Sequence, residues 1–93
     1  MPASFTLSTP IQAHDEELRA LSFRDLTAKD IRTMGYPFTF TTKGEVQADA
    51  AIMTRYIVAL ANIPTSSVDQ LAPFDFLQAT QVIMGFFAPA TAG

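Results

Sequence analysis

Apolar and polar residues alternate with a period of two near the start of the chain. Leu7 and Ile11 lie among serine and threonine residues, which is the pattern of a strand with one buried face. A polar run then interrupts the alternation, which returns at Leu21 and Phe23. The two segments predict an antiparallel hairpin over about residues 4–24.

The strand assignment has alternatives at two places in the sequence. Leu18 is out of phase with the second strand, so this strand either contains a bulge near the turn or begins later. The aromatic stretch 36–44 is predicted to be a loop. Within it, Phe38 and Phe40 either tuck under the domain or form a brief third strand.

A short helix is predicted after the hairpin. The Thr27 hydroxyl can accept a backbone hydrogen bond at a helix start, and the positive helix end favours Asp30 three positions later. Gly35 permits a left-handed stop, and Pro37 follows it. The predicted helix covers residues 28–34.

The period then changes to that of a longer helix over residues 45–62. One stripe of this helix is apolar, and it contains Val46, Ala50, Met53, Ile57 and Leu60. Pro64 ends the helix. Ser66 and Asp69 repeat the capping pattern, which predicts a one-turn helix over residues 66–70.

A last helix is predicted over residues 73–87. Pro73 suits its first position and Asp75 its first turn, although Ala72 is a poor capping residue. Residues 88–93 have no pattern and are expected to be loose. The prediction is a single α+β domain over residues 1–93, in which the hairpin packs against a short helix and two longer C-terminal helices.

The two longer helices carry more apolar surface than one core contact covers. In the first of them, Ile52 and Val58 lie about 120° to either side of the main stripe. In the last helix, Val82 and Phe86 are predicted to point away from a shared face. That face contains Phe76, Leu77, Thr80, Ile83, Met84 and Phe87. The hairpin and the loop aromatics either cover both sides, or the surplus binds a client or a second copy.

A partner-binding surface is the more specific interpretation of this surplus. The residues predicted to contribute are Met53, Phe76, Val82, Met84 and Phe86. Methionine and phenylalanine side chains suit an adaptable groove, because thioethers repack around different contours. Methionines are also ordinary core residues, so core packing is the competing interpretation.

Composition and charge narrow the function classes. The net charge is −3 and the pI is about 4.7, which argues against nucleic acid as the main partner. The chain has no cysteine, so disulfides and thiolate sites are excluded. Neither a secretion signal nor a run long enough to cross a bilayer is evident, so we expect a soluble protein that binds no membrane.

No residue pattern predicts catalysis, a cofactor or a metal site. His14 falls in the predicted hairpin turn, where a solvated histidine is the simpler interpretation. Gly35 and Gly44 lack the spacing of a phosphate loop. Ser66 and Ser67 look like cap residues, and the usual nucleophile arrangements cannot be built in a chain that has neither a cysteine nor a second histidine. We therefore predict that the protein is not an enzyme.

Several short motifs occur in a fixed order along the chain. They are Leu7–Ile11 (LSTPI), Leu21–Asp30 (LSFRDLTAKD), Leu60–Pro64 (LANIP) and Leu71–Phe76 (LAPFDF). In this order, and at this size, the chain resembles the small tail assembly chaperone family of contractile-tailed bacteriophages and related prophages. The resemblance covers about residues 5–87. The aromatic stretch at 36–44 and Ala72 depart from what the family leads us to expect.

The resemblance implies a non-enzymatic protein of the host bacterial cytoplasm. Such a chaperone binds the phage tape measure protein and keeps it soluble until tail tube subunits assemble around it, and it is absent from the mature virion. Further partners that the resemblance implies are the tail tube protein, a longer frameshifted form of the chain and a homo-oligomer. The alternatives are a structural tail component, such as a terminator or connector, and a small regulatory protein-binding module.

Overall fold

The computed structural model describes residues 3–87, so the predicted loose tail at 88–93 lies outside the described residues. The elements in chain order are β1 (Ala3–Ala13), β2 (Glu16–Phe23), α1 (Ala28–Met34), β3 (Phe38–Phe40), β4 (Val46–Ala48), α2 (Ala50–Ala61), α3 (Thr65–Val68) and α4 (Pro73–Gly85). The strands form two separate antiparallel hairpins, β1–β2 and β3–β4. The predicted α+β class is confirmed, and the second hairpin adds to it.

The first hairpin turns tightly at its tip. His14 and Asp15 have φ values of 53° and 63°, which suit a two-residue turn that follows the twist of the strands. The pairing of β1 with β2 is regular up to Thr6 and changes register before Ile11. The bulge therefore lies in the middle of β1, and it accounts for the phase of Leu18 on the opposite strand.

One face of the first hairpin forms one side of the hydrophobic core. Leu7, Ile11, Leu21 and Phe23 are buried there, as the two-residue alternation predicts. The strands pack against α2, α3 and α4. The other buried apolar residues are Ala13, Met53, Tyr56, Ile57, Leu60, Ile63, Val68, Ala79 and Ile83. One contiguous core therefore joins the hairpin to the helices.

A buried carboxylate accepts hydrogen bonds from the backbone N–H groups of the bulge in β1. Asp75 is 0% exposed, and its two oxygens each accept from the Ser8 backbone N–H at 3.0 Å. The Ser8 hydroxyl donates to the same carboxylate at 3.0 Å, and the Thr9 N–H donates at 3.3 Å. Because the bulge removes these N–H groups from the strand ladder, Asp75 replaces the missing backbone partner.

Polar side chains also cover the end of β1 near the turn. The Gln12 N–H donates to the Gln70 side-chain oxygen at 2.7 Å. The Gln12 carbonyl accepts from the Ser67 hydroxyl at 2.5 Å and from the Gln70 amide at 3.3 Å. Side chains from the region of α3 thus protect an edge strand that would otherwise present unpaired backbone groups.

The α1 helix matches its prediction. The Thr27 side chain accepts from the Asp30 N–H, and the Asp30 carboxylate accepts from the Thr27 N–H, so both halves of a capping box are present. The helix ends at Met34, and Gly35 follows it with a φ of 84°, a positive value that favours glycine.

The predicted helix over 45–62 begins five residues too early, since α2 starts at Ala50. Residues 46–48 form β4 instead and pair with 38–40 in β3. Asp49 provides the helix cap by accepting from the Ile52 N–H at 3.1 Å. The Val46 side chain, assigned to the helical stripe from the sequence, is consequently 55% exposed on β4.

The remaining helices differ from prediction mainly in their caps. Ser66 and Asp69 do not cap α3, which follows Pro64 and has no side-chain cap. The first residue of α4 is Pro73, and Ala72 precedes it without a capping side chain, as expected. The α4 helix ends at Gly85, so Phe86 and Phe87 follow it in a turn rather than within the helix.

Candidate partner-binding surface

The second hairpin is built from short strands and a glycine-containing turn. The Thr41 N–H donates to the Glu45 carbonyl at 2.8 Å, and the Gly44 N–H donates to the Thr41 carbonyl at 2.9 Å. Gly44 has a φ of 82°, a value that glycine adopts without strain. The turn places Phe40 directly opposite Val46.

Aromatic rings connect this hairpin to the end of α4. We define the aromatic surface as Tyr36, Phe38, Phe40, Val46 and Phe87. Phe38 contacts the rings of Phe87, Tyr36 and Phe40 at centroid distances of 5.2, 5.5 and 5.9 Å. Tyr36 is 58% exposed, Phe40 67% and Val46 55%. The rings therefore form one cluster that is open to solvent on its outer side.

The base of the aromatic surface is fixed to the core. Tyr56 is 0% exposed, and its hydroxyl donates to the Gly35 carbonyl at 2.6 Å. Burial raises the pKa of the Tyr56 hydroxyl, so it stays protonated and remains a donor. Pro37 is fully buried, and its carbonyl accepts from the Asp49 N–H at 2.9 Å. These contacts hold the base of the cluster while its tip projects outwards.

A second exposed apolar region follows the outer side of α4. We define the α4 stripe as Phe74, Leu77, Gln81 and Met84. At 100° per residue these positions fall within about 80° of one another, on the side opposite the buried Ala79. Phe74 is 60% exposed and Leu77 51%, Gln81 is exposed, and Met84 is partly buried.

The structure distributes the five predicted partner-binding residues unevenly. Met53 is 0% exposed and belongs to the core, so it offers no surface in this conformation. Phe76, Val82, Met84 and Phe86 are partly buried and pack against the core. Of these, Met84 lies on the α4 stripe. Their binding role stays a prediction.

The buried face of α4 is rotated about the helix axis relative to the face predicted from the sequence. Asp75, Ala79 and Ile83 are buried, and Val82 and Phe86 lie within about 60° of that inner line. The pair predicted to point elsewhere therefore faces inwards. Leu77, assigned to the inner face from the sequence, faces outwards instead. The predicted and observed faces differ because Asp75 is buried, whereas a charged side chain in a helix is normally assigned to the solvent side.

Within residues 3–87, the most exposed large apolar residues are outside the predicted partner-binding set. They are Tyr36, Phe40, Val46, Phe74 and Leu77. A signal for the second hairpin exists, since Phe38 and Phe40 alternate with threonine and Gly44 follows at a turn position. No comparable signal fixes the outward direction of Phe74.

Charged residues lie both beside the aromatic surface and in local pairs. Lys43 and Glu45 are in the turn between Phe40 and Val46. Arg24 and Asp30 approach to 2.8 Å. Hydrogen bonds from Arg24 hold the pKa of the Asp30 carboxyl well below its usual range, and the Thr27 bonds lower it further. His14 lies in the predicted turn, and its Nε2 is 3.0 Å from the Asn62 carbonyl oxygen. These contacts stabilise the fold locally.

The described residues offer open grooves and no metal cluster. One groove of about 570 Å³ is lined by Met34, Ala51, Thr54, Arg55, Val58 and Thr65. Within residues 3–87, no group of three or more His, Cys, Asp or Glu side chains is placed to hold a metal ion. None of the helices in that range has the length and apolar character that a bilayer-spanning segment requires.

Comparison with known proteins assigns the chain to a family. Residues 4–88 match the family model described as phage tail assembly chaperone proteins, E, or 41 or 14. No curated protein and no solved structure matches the chain. The matched region contains all the described strands and helices except Ala3, the first residue of β1. The chain therefore belongs to the phage tail assembly chaperone family, which is a non-enzymatic family.

Proposed function

We propose that this chaperone binds the phage tape measure protein and keeps it soluble while the tail assembles in the cytoplasm of the host bacterium. Family membership supports tail proteins as the class of partner. The tape measure protein is the specific client that we propose. A protein with this role is made for assembly and is absent from the finished particle.

The observation that carries the proposal is the exposure of the aromatic surface. Tyr36 and Phe40 leave more than half of their surface in water although each of them contacts the partly buried ring of Phe38. Folding gains little from side chains in that position, because apolar stabilisation scales with the area removed from water. A client chain that covers these rings recovers the stabilisation, which is how exposed aromatic clusters act at interfaces.

The residues predicted from the sequence extend this surface. Phe87 connects the aromatic surface to the end of α4, next to Phe86. We propose that Phe76, Val82, Met84 and Phe86 contribute where their partly exposed atoms continue the apolar area. Met53 contributes only if the helices separate, because it has no exposed surface here.

Co-expression with the tape measure protein tests the proposal. The soluble fraction of the tape measure protein is measured with the unaltered chain, with Phe40→Ser and with Thr39→Ser. Phe40 and Thr39 are both exposed neighbours on β3, and only the first belongs to the aromatic surface. We expect Phe40→Ser to lower the soluble fraction several-fold and Thr39→Ser to leave it unchanged.

Two outcomes contradict the proposal. One is a tape measure protein that is equally soluble with or without the chain. The other is the recovery of the chain from purified virions in amounts comparable to tail tube subunits, by peptide mass analysis. The second outcome favours a structural tail component.

A further inference from the structure

The buried carboxylate of Asp75 joins two of the short sequence motifs. It belongs to Leu71–Phe76 (LAPFDF), and its hydrogen-bond donors are Ser8 and Thr9 in Leu7–Ile11 (LSTPI). The contact attaches the first turn of α4 to the bulge in β1. It lies outside the aromatic surface, so the proposed function gives it no role.

The orientation of α4 is not the one that apolar burial alone would select. Phe74 and Leu77 are 60% and 51% exposed, whereas Asp75, which lies between them in the sequence, is 0% exposed. Burial of apolar area has no preferred direction, and burial of a carboxylate is costly unless it is hydrogen-bonded. Without its partners on β1, a rotation that exposed Asp75 and buried Leu77 would be favoured. The bonds from Ser8 and Thr9 therefore set the rotation of α4 about its axis.

The other end of α4 transmits this rotation to the aromatic surface. The Phe87 N–H donates to the Met84 carbonyl at 3.1 Å, so Phe87 continues directly from the helix. The centroid of its ring lies 5.2 Å from that of Phe38. The Tyr36 and Tyr56 rings are each 6.1 Å from it. Because an α-helix turns as a rigid rod, a rotation that moved Asp75 would also carry Phe87 away from these rings.

We propose that Asp75 is a positioning residue for the aromatic surface. Its hydrogen bonds to β1 set the rotation of α4, and this rotation holds Phe87 against Phe38. The effect of this positioning on client capture rests on the proposed function. The positioning itself is a property of the free chain and is measured without a client.

Nuclear Overhauser contacts between rings in the free chain test the positioning. Asp75→Asn replaces one acceptor oxygen with a donor that faces the N–H groups of the bulge. We expect this variant to lose the contact between the Phe87 and Phe38 rings. The stacked rings of Phe5 and Phe23 report on the first hairpin in the same spectra, and their contact should remain.

Two further variants separate positioning from a general loss of stability. Leu21→Ala removes a core side chain on β2, which packs against α2, and leaves the Asp75 bonds in place. The folded form of this variant should keep the Phe87–Phe38 contact. Ser8→Ala removes the hydroxyl donor but keeps the backbone donors, so it should weaken the contact without abolishing it. An unchanged contact in both Asp75→Asn and Ser8→Ala, or an equal loss in Leu21→Ala, overturns the proposal.

Co-expression with the tape measure protein distinguishes this proposal from the proposed function. At equal amounts of folded chain, Asp75→Asn should lower the soluble fraction of the tape measure protein, as Phe40→Ser does, and Leu21→Ala should not. Displaced rings in Asp75→Asn with an unchanged soluble fraction would count against the proposed function and support the positioning.

Discussion

The two hairpins of this molecule differ in the exposure of their apolar side chains. In β1–β2, Leu21 and Phe23 are 1% and 0% exposed, and Asp75 bonds the bulged edge. In β3–β4, the paired residues Phe40 and Val46 are 67% and 55% exposed. The first hairpin therefore contributes its apolar side chains to the hydrophobic core, whereas the second leaves apolar side chains exposed to solvent.

Strand length explains part of this difference. The strands β1 and β2 have 11 and 8 residues, whereas β3 and β4 have 3 residues each. A two-stranded hairpin of that size is at best marginally stable alone. The second hairpin depends on its base, where Pro37 is buried and Tyr56 bonds the Gly35 carbonyl.

The largest expected contrast is between the same substitution in the two hairpins. Phe23→Ala removes a fully buried ring from the core and is expected to lower the free energy of unfolding by about 3–5 kcal/mol. Phe40→Ala removes a mostly exposed ring and is expected to cost less than about 1 kcal/mol. Urea unfolding of both variants measures the difference. Equal losses would mean that the aromatic surface belongs to the folding core.

A smaller effect is expected at the bulge of β1. Asp75→Asn retains the shape of the side chain but replaces one acceptor oxygen with a donor that faces the Ser8 and Thr9 N–H groups. We expect a loss of about 2–3 kcal/mol in thermal or urea unfolding. Asp69→Asn, at an exposed position, is the control and should change stability by less than about 0.5 kcal/mol. Equal stability of the two variants would contradict the role given to Asp75.

The smallest effect concerns the ion pair beside α1. Because the pKa of Asp30 is lowered on folding, the pair stabilises the protein above the ordinary carboxyl pKa of about 4. This contribution is lost as the pH falls through the folded pKa. The Arg24 side chain is 49% exposed, so screening keeps the contribution below about 1 kcal/mol.

Arg24→Gln isolates this contribution, since it removes the ion pair and leaves the Thr27 capping box in place. The stability gap between this variant and the unaltered chain should be present at pH 7 and shrink on acidification below about pH 4. Unfolding curves at several pH values measure the gap. A gap that widens in acid would have the wrong sign for a carboxyl with a lowered pKa.

The sequence predicts the parts of this fold in which local and tertiary preferences agree. The alternation around Leu21 and the capping box at Thr27 lead to the observed β2 and α1. The helix predicted from Glu45 fails in its first turn, because β3 offers residues 46–48 a strand partner and Asp49 is the better cap. The helical periodicity of residues 46–60 does not show this competing strand pairing, although the alternation at Phe38 and Phe40 is a weak signal for it.

The candidate surface is harder to predict than the core, for a physical reason. Its direction on α4 depends on Asp75, whose hydrogen bonds reach 67 residues along the chain to Ser8. Because this distant partner turns Asp75 inwards, the buried face of α4 differs from the face predicted from the sequence. Leu77 therefore lies on the surface instead of in the core. An excess of apolar residues can be predicted from the sequence. The most exposed large ones among the described residues are Tyr36, Phe40, Val46, Phe74 and Leu77, and four of the five predicted residues are partly buried.

Amide hydrogen exchange of the chain bound to the tape measure protein tests the account most directly. Client binding at the aromatic surface predicts slower exchange at residues 38–48 and near Phe87, with β1 and β2 unchanged. Slower exchange confined to β1–β2, with residues 38–48 as fast as in the free chain, would contradict it.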